Sequence, residues 1–184
     1  MTSITKILAT TLFGVAIAAT PILAQTVTID YDHSVNFLKF KTYTWEKVHA
    51  TDPAVEGRIT LAVNRDMGGR YMSETANNGD VTITAVEATQ SKQEYTDFYS
   101  GASDINWQRG WGSGGLLDNA STLQDVPLHT LILDMYDSKT HKLLWRGTLT
   151  LSPADAASKD ADQKYDKAVT QLIGKYPPKF SKSK

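Results

Sequence analysis

The segments TLILDMYD at residues 130–137 and KLLWRGTLTL at residues 142–151 decide the fold of this chain. Apolar side chains take alternate positions in both segments, which is the period of a β-strand with one buried face. The residues SKTH at 138–141 are typical of a turn. The sequence therefore predicts a β-hairpin. Its expected buried face carries Leu131, Leu133 and Met135 from the first strand, and Leu143, Trp145, Leu149 and Leu151 from the second.

Three more strands are expected upstream of the hairpin. Alternation in TVTIDY predicts a strand over residues 26–31, and the aromatic residues that follow predict a second strand ending at Trp45. A third strand begins at Val81, after the turn residues NNGD. Its apolar alternation slips after Ala85, which predicts a bulge or bend there.

Two helices are expected to pack on this sheet. Asp52 and Pro53 form a helix-start signal, and apolar residues recur at helical spacing as far as Met67. A second apolar stripe predicts a helix over residues 160–175. Short links between strands favour antiparallel pairing. The predicted fold class is therefore α+β, an antiparallel β-sheet with two helices packed on one face, which is a two-layer sandwich.

The first 24 residues have the pattern of a cleavable signal peptide. A basic end at Lys6 precedes an apolar run over residues 7–19, and Ala24 occupies the expected cleavage position. The alternatives are a short membrane anchor or a buried helix, but a membrane span needs about 20 apolar residues. We expect cleavage after Ala24, one domain over residues 25–178 without a membrane span, and a short basic tail over residues 179–184.

Composition narrows the classes of function. The chain has no cysteine, so a lipid anchor on a cysteine, thiol catalysis and thiolate metal sites are excluded. Its formal net charge is −1, which argues against nucleic acid as a partner because phosphate binding needs a clustered basic surface. With the predicted leader, this composition predicts a freely soluble periplasmic protein.

Several segments together resemble a known family. The set includes Phe40 to Tyr43, the Asp134 strand, the run KLLWRG at 142–147 and the ending Tyr176-Pro177-Pro178. These segments resemble the bacterial envelope family called domain of unknown function 4136. The resemblance implies an exported or lipid-anchored protein with an α+β fold, and it implies no activity or active site. Many members carry a lipobox cysteine where this chain has Ala24 and Gln25, so for this chain it implies a soluble form.

Motifs for common chemistries do not hold up in context. Residues 110–115 match G-x-G-x-x-G, but the strand, helix and acidic residue that a dinucleotide site needs are missing around them. The four histidines, His33, His49, His129 and His141, lie far apart without paired metal-ligand spacing. We therefore expect no cofactor and no metal.

The long irregular segment over residues 100–125 is the best candidate for a working surface. Aromatic residues are dense in and before it, at Tyr95, Phe98, Tyr99, Trp107 and Trp111. Such residues favour binding of an apolar or sugar-like partner. The candidate binding residues are Tyr99, Trp107, Arg109 and Trp111, and the expected partner is an unknown envelope protein or a small ligand.

Three functions follow from these observations. The first is a non-enzymatic binding or assembly module in envelope maintenance. The second is a hydrolase that uses Asp30, Asp32 and Asp104, although the first two carboxylates are expected to face water. The third is a structural subunit that pairs through the 26–31 edge strand.

One pair of neighbours in the predicted hairpin also needs interpretation. Trp145 is expected in the core, because it shares a face with apolar residues. Arg146 is expected on the opposite face, where it is solvated or paired with a cross-strand acid such as Asp134.

Overall fold

The structure is a computed structural model that describes residues 25–88, 98 and 129–177. It forms an α+β fold around one mixed sheet of six strands. The strands are β1 (Thr26–Tyr31), β2 (Thr42–His49), β3 (Ser73–Glu74), β4 (Val81–Ala88), β5 (Thr130–Asp137) and β6 (Leu143–Thr150). The helices are α1 (Pro53–Gly68), α2 (Pro153–Ala156) and α3 (Ala161–Ile173).

The sheet has the order β1-β6-β5-β4-β2-β3. The neighbouring strands β1, β6, β5 and β4 pair antiparallel, in that spatial order. Strand β2 runs parallel to its two neighbours, β4 and β3. The prediction of a purely antiparallel sheet is therefore wrong. The reason is α1, because a helix between two strands carries the chain back to the end from which it started, and the second strand then runs parallel to the first.

The predicted β5–β6 hairpin is confirmed, with one shift in register. Met135 pairs with Trp145, whereas the next residue, Tyr136, pairs with Leu143, so Leu144 is an extra residue on β6. Leu144 joins the main core cluster, and Leu143 is buried outside it. The expectation that Leu143 shares a face with Trp145 is wrong because this bulge reverses the alternation.

The predicted bulge in β4 is also wrong. Val81 to Ala88 pair with β5 without interruption, and the irregularity lies in β2, between Trp45 and Lys47. The slip in apolar alternation has another cause. Val86 is fully buried opposite Ile132, because both faces of β4 are buried and apolar residues appear at both parities.

The second predicted strand begins later than expected. Phe37–Lys39 form a 3₁₀ turn, which is capped by the Asn36 side chain accepting from the Leu38 N–H at 3.1 Å. Phe37 and Phe40 are buried in the core from this turn. Strand β2 starts only at Thr42 and runs past Trp45 to His49.

Both predicted helices form, and a short third helix precedes the second. Asp52 caps α1 by accepting from the Ala54 N–H at 2.8 Å, and Pro53 begins the helix. Ser152 caps α2 by accepting from the Asp155 N–H at 3.0 Å. The buried stripes of α1 and α3 share one core cluster with the sheet. The stripes are Ile59, Ala62, Val63 and Met67 on α1, and Tyr165, Ala168, Val169, Leu172 and Ile173 on α3.

Within the described residues, no helix is long and apolar enough to cross a membrane.

Candidate functional site

The central strands β4, β5 and β6 have two chemically different faces. The face that shares the core cluster with α1 and α3, which we call the helix face, is apolar except for the buried Glu87 at the end of β4. It carries Val81, Ile83, Ala85, Leu131, Leu133, Met135, Trp145 and Leu149. The other face, which we call the opposite face, is also buried but carries polar side chains. Its buried polar residues are Thr82, Thr84, Thr130, Asp134 and Arg146.

A row of charged residues crosses the opposite face. Asp30 on β1 is the register partner of Arg146 on β6, which is in turn the partner of Asp134 on β5. Asp134 pairs with Thr84 on β4, and Thr84 pairs with Lys47 on β2. Along this charged row the successive charged residues alternate in sign, with the uncharged Thr84 between Asp134 and Lys47. Opposite charges on neighbouring strands attract each other.

Arg146 and Asp134 form a buried two-point ion pair. The Arg146 Nε and Nη2 atoms donate to Asp134 at 2.6 and 2.5 Å, and the Tyr136 hydroxyl also donates to Asp134 at 3.1 Å. Arg146 is 3% exposed and Asp134 is 0% exposed. The predicted pairing of Arg146 with Asp134 is confirmed, whereas a solvated Arg146 is wrong. Removing both charges from water is costly, so this pair contributes orientation more than stability.

Phe98 packs at one end of the charged row. Its ring lies 4.4 Å from the Lys47 Nζ atom and 6.4 Å from the His49 ring, which is stacked on it. Lys47 and His49 pair with Thr84 and Val86, so Phe98 lies on the opposite face. Phe98 is 5% exposed. The sequence analysis listed it among the aromatic residues near the long irregular segment but did not predict its burial. Its contact with β2 joins residues distant in sequence, and no local pattern signals such a contact.

The chain between β4 and β5 is inserted at one point of the sheet. Ala88 and Thr130 are register partners at the ends of an antiparallel pair, with residues 89–129 between them. A hairpin connection needs only about two to five residues. The sheet therefore does not need a segment of this length for its own pairing.

The predicted binding residues belong to this inserted segment. Tyr99, Trp107, Arg109 and Trp111 lie outside the described residues, as does the 1–24 leader.

Two members of the predicted carboxylate group, Asp30 and Asp32, lie within the described residues, and their surroundings differ. Asp104 lies outside the described residues. Asp30 is exposed, as expected, but Asp32 is buried and bonded to Lys142 Nζ at 2.5 Å. The expectation that Asp32 faces water is wrong because the turn after β1 folds it against Lys142, the residue before β6.

The same contacts set the charge of Asp32. Burial disfavours its ionised form, but hydrogen bonds from Lys142 and Ser34 outweigh burial and lower its pKa below 3.8. The Ser34 hydroxyl and backbone N–H donate to Asp32 at 2.6 and 2.9 Å. The lowered pKa favours the ionised form of Asp32, whereas a general acid needs a raised pKa.

A cleft of about 240 Å³ lies on the helix side of the sheet. Its polar lining includes Arg58, which is paired with Asp162, together with Glu87, His129 and Tyr165. Within residues 25–88, 98 and 129–177, no group of three or more histidine or acidic side chains is placed to hold a metal ion. The cleft is small for a ligand pocket, since such pockets usually enclose about 300–1,000 Å³.

Comparison with known proteins identifies a family and a distant fold relationship. The model of a family described as a domain of unknown function, DUF4136, matches residues 27–178. No curated protein matches the chain. A solved PDZ domain protein from Parabacteroides distasonis is similar with a TM-score of 0.51 and 13% identity, over 85% of this chain and 37% of that one. The chain thus corresponds to little more than a third of that structure, and the similarity concerns the fold alone.

A PelC dodecamer from Paraburkholderia phytofirmans is more weakly similar. Its TM-score is 0.46 at 10% identity, over 81% of this chain and 95% of that one.

Proposed function

We propose that this chain, which belongs to the DUF4136 family, is a non-enzymatic binding or assembly module of the bacterial periplasm. In this proposal the segment inserted between β4 and β5 carries the surface that contacts an envelope protein or a small ligand. The leader pattern in the first 24 residues supports the periplasmic location.

The insertion itself is the observation that carries the proposal. Ala88 and Thr130 are register partners, so the sheet would close with a short turn, yet residues 89–129 stand between them. Long segments of this kind in compact domains usually serve a function. Phe98 ties the segment to the sheet through Lys47 and His49. A rigid sheet with an anchored insertion is a common design for binding loops.

The proposal includes the two-layer arrangement expected from the sequence. With α1 and α3 in one layer, the helix face is committed to the core. The opposite face, with its charged row, then remains as the support for the inserted segment. The buried ion pair of Arg146 and Asp134 suits this role, because a two-point pair fixes the position of the groups packed on it.

A hydrolase is less well supported. Among the described candidates, Asp32 is buried, bonded to Lys142 and lowered in pKa, which argues against a general-acid role for it. This leaves Asp30, which is exposed, and Asp104.

Site-specific photo-crosslinking in intact periplasm tests the proposed surface. A photo-reactive residue at Tyr99 or at Arg109 is expected to capture a partner, and the same residue at Leu61 is not. Leu61 is a suitable control because it is 73% exposed and belongs to α1, not to the inserted segment. Adding Trp107→Ala and Trp111→Ala should abolish capture from position 99 while the thermal melt stays unchanged. Equal capture from position 61, or capture unaffected by the two tryptophan changes, would refute the proposal.

Pairing through an edge strand is a second candidate function. The observation that favours it is the place of β1 at the end of the sheet, with β6 on one side only among the described strands. Such an edge is able to accept a further strand.

A further inference from the structure

The two edges of the sheet differ in length and chemistry. Strand β3 ends one side with only two residues, Ser73–Glu74, whereas β1 ends the other with six. Exposed edges are usually protected by lysine, proline or a bulge. The β1 sequence TVTIDY contains neither lysine nor proline, and its pairing with β6 is continuous. The longer edge therefore lacks these protections.

Backbone direction shows which groups of β1 point outward. The Asp32 N–H donates to the Leu144 carbonyl on the β6 side at 2.9 Å. Because successive residues alternate in direction, the N–H and C=O groups of Thr28 also point toward β6, and those of Val27 and Ile29 point away from it. The Tyr31 N–H points outward too, but it donates to the Asp30 side chain at 2.9 Å. Val27 and Ile29 are thus the residues prepared to bond a further strand.

We propose that a second copy of this chain pairs with β1 in antiparallel direction, with the two-fold axis at Thr28. This inference rests on the edge-pairing candidate and not on the inserted segment. In this register Val27 lies opposite Ile29 of the partner subunit, and the two residues exchange both backbone hydrogen bonds. The symmetry repeats the same pair on the other side of the axis. Thr28 lies opposite Thr28 of the partner subunit, a favourable cross-strand combination.

Neighbouring registers are less favourable. Centring the pair on Ile29 places Val27 opposite Tyr31 of the partner subunit, whose N–H is already bonded to Asp30. Centring it on Asp30 sets two carboxylates opposite each other, which is destabilising. The Thr28 register avoids both problems, because it places Asp30 opposite a threonine.

The side chains of β1 favour a second copy of this chain as the source of the added strand. Val27 and Ile29 are half-buried and pack against the core cluster on the helix face. In the Thr28 register they lie beside Ile29 and Val27 of the partner subunit, so two incomplete apolar rows complete each other. The other edge is less suited to bind β1 in a head-to-tail chain, because β3 has two residues and the part of β2 beyond β3 carries Lys47 and a register shift. The assembly therefore closes as a symmetric dimer with one continuous sheet.

Cysteine crosslinking tests both the partner and the register, since the chain contains no cysteine of its own. In a Thr28→Cys variant of the full chain, the two cysteines of the proposed dimer form a non-hydrogen-bonded pair. The Cα atoms of such a pair are about 4.5 Å apart, a distance that a disulfide can bridge. We expect mild oxidation to give a covalent dimer. A Leu61→Cys variant, with its cysteine on the exposed side of α1, serves as the matched control and is expected to stay monomeric.

A mixing experiment fixes the register. Thr26→Cys and Asp30→Cys should each give little dimer alone, but a mixture of the two should crosslink, because residue 26 faces residue 30 of the other copy. Failure of Thr28→Cys to crosslink, equal crosslinking of Leu61→Cys, or crosslinking of the Asp30→Cys variant alone would each overturn the proposal.

A further variant separates dimer formation from folding. Val27→Pro removes one outward N–H per chain without touching a bond to β6, and proline is tolerated on an edge strand. Combined with Thr28→Cys, it should lower the crosslinked yield roughly tenfold or more, since each pair loses a hydrogen bond. If Val27→Pro does not fold, Ile29→Lys is the alternative variant for weakening the dimer, because lysine protects an edge strand from pairing. An unchanged yield in a folded variant refutes the dimer, while partner capture at Tyr99 tests the inserted segment independently.

Discussion

The helix face and the opposite face of β4, β5 and β6 are both buried, yet they are built from different chemistry. Ile83, Leu133 and Trp145 on the helix face are fully buried apolar residues packed in the core cluster. Thr84, Asp134 and Arg146 on the opposite face are buried polar residues in the charged row. The difference shows that burial alone does not identify the core. The helix face buries apolar area, whereas the opposite face buries charges that are costly to unpair.

Adjacent residues of β6 give a direct way to compare the two faces, because Arg146 and Gly147 point to opposite sides. Arg146 pairs with Asp134, and Gly147 lies against the Trp145 ring and Leu172 of α3.

The largest effect is expected for Arg146→Met on the opposite face. It removes the guanidinium that bonds the buried Asp134 carboxyl at two points, and breaking a buried pair in this way costs about 3–5 kcal/mol of unfolding free energy. The double variant Arg146→Met with Asp134→Leu should recover most of this loss, because both desolvated charges are gone. Urea unfolding followed by circular dichroism measures both.

The matched control for this prediction is Arg65→Met. Arg65, whose side chain is 56% exposed, pairs with Asp66, and a loss of about 1 kcal/mol is expected when this solvent-screened pair is removed. If Arg146→Met costs no more than Arg65→Met, the ion pair does not contribute as described.

Gly147→Ala is expected to have the next largest effect, on the helix face. A Cβ atom there would lie 2.4 Å from Trp145 Cη2 and 2.6 Å from Leu172 Cδ1, so the indole or α3 must shift. Overpacking of this kind costs about 1–3 kcal/mol. Thermal melts should show a lower midpoint, with loss of the near-ultraviolet signal of the buried indole. Gly57→Ala is the control, since nothing lies within 4 Å of its added Cβ, and it should be neutral or stabilising.

The smallest change in stability is expected at the ion pair of Lys142 and Asp32, which is more exposed than the pair of Arg146 and Asp134. The Lys142 side chain is 51% exposed, so its bond to Asp32 is expected to contribute about 1 kcal/mol or less. The pKa of Asp32 is lower in the folded chain, so its contribution is complete above the unfolded pKa and is lost as pH falls through the folded value.

A pH series of unfolding curves checks this last prediction. Between about pH 5 and pH 2 the unmodified chain should lose more stability than Asp32→Asn, and the two should converge at the acid end. Lys159→Met, at an exposed lysine outside this pair, should follow the unmodified chain. Parallel curves for the unmodified chain and Asp32→Asn would contradict a lowered pKa of Asp32 in the folded chain.

The sequence predicted local structure well and long-range arrangement less well. The β1 bounds, the start of α1 at Pro53 and the β5–β6 hairpin follow from alternation, capping and turn residues, all of which act over a few residues. The pairing of Arg146 with Asp134 was also predicted, because both residues lie on the polar side of neighbouring strands, although their exact register depends on the bulge at Leu144. The parallel contact of β2 with β4 was not, since it depends on how α1 packs.

The candidate site shows the same division. The aromatic density of the inserted segment is visible in the sequence, but its attachment through Phe98 to Lys47 and His49 is not. Likewise, Asp30 and Asp32 look equivalent along the chain. Only the fold makes Asp32 a buried, lysine-bound carboxylate and leaves Asp30 exposed.

By itself, the sequence determined β1, the start of β4, the β5–β6 hairpin and the two longer helices, because periodicity and capping are properties of neighbouring residues. It also determined the family to which the chain belongs. Tertiary structure alone decided that the sheet is mixed, that its polar face is buried and that the 89–129 segment interrupts two register partners. The physical reason is that the energy of a buried charge or a strand edge depends on what lies beside it in space, and no local pattern encodes that neighbour.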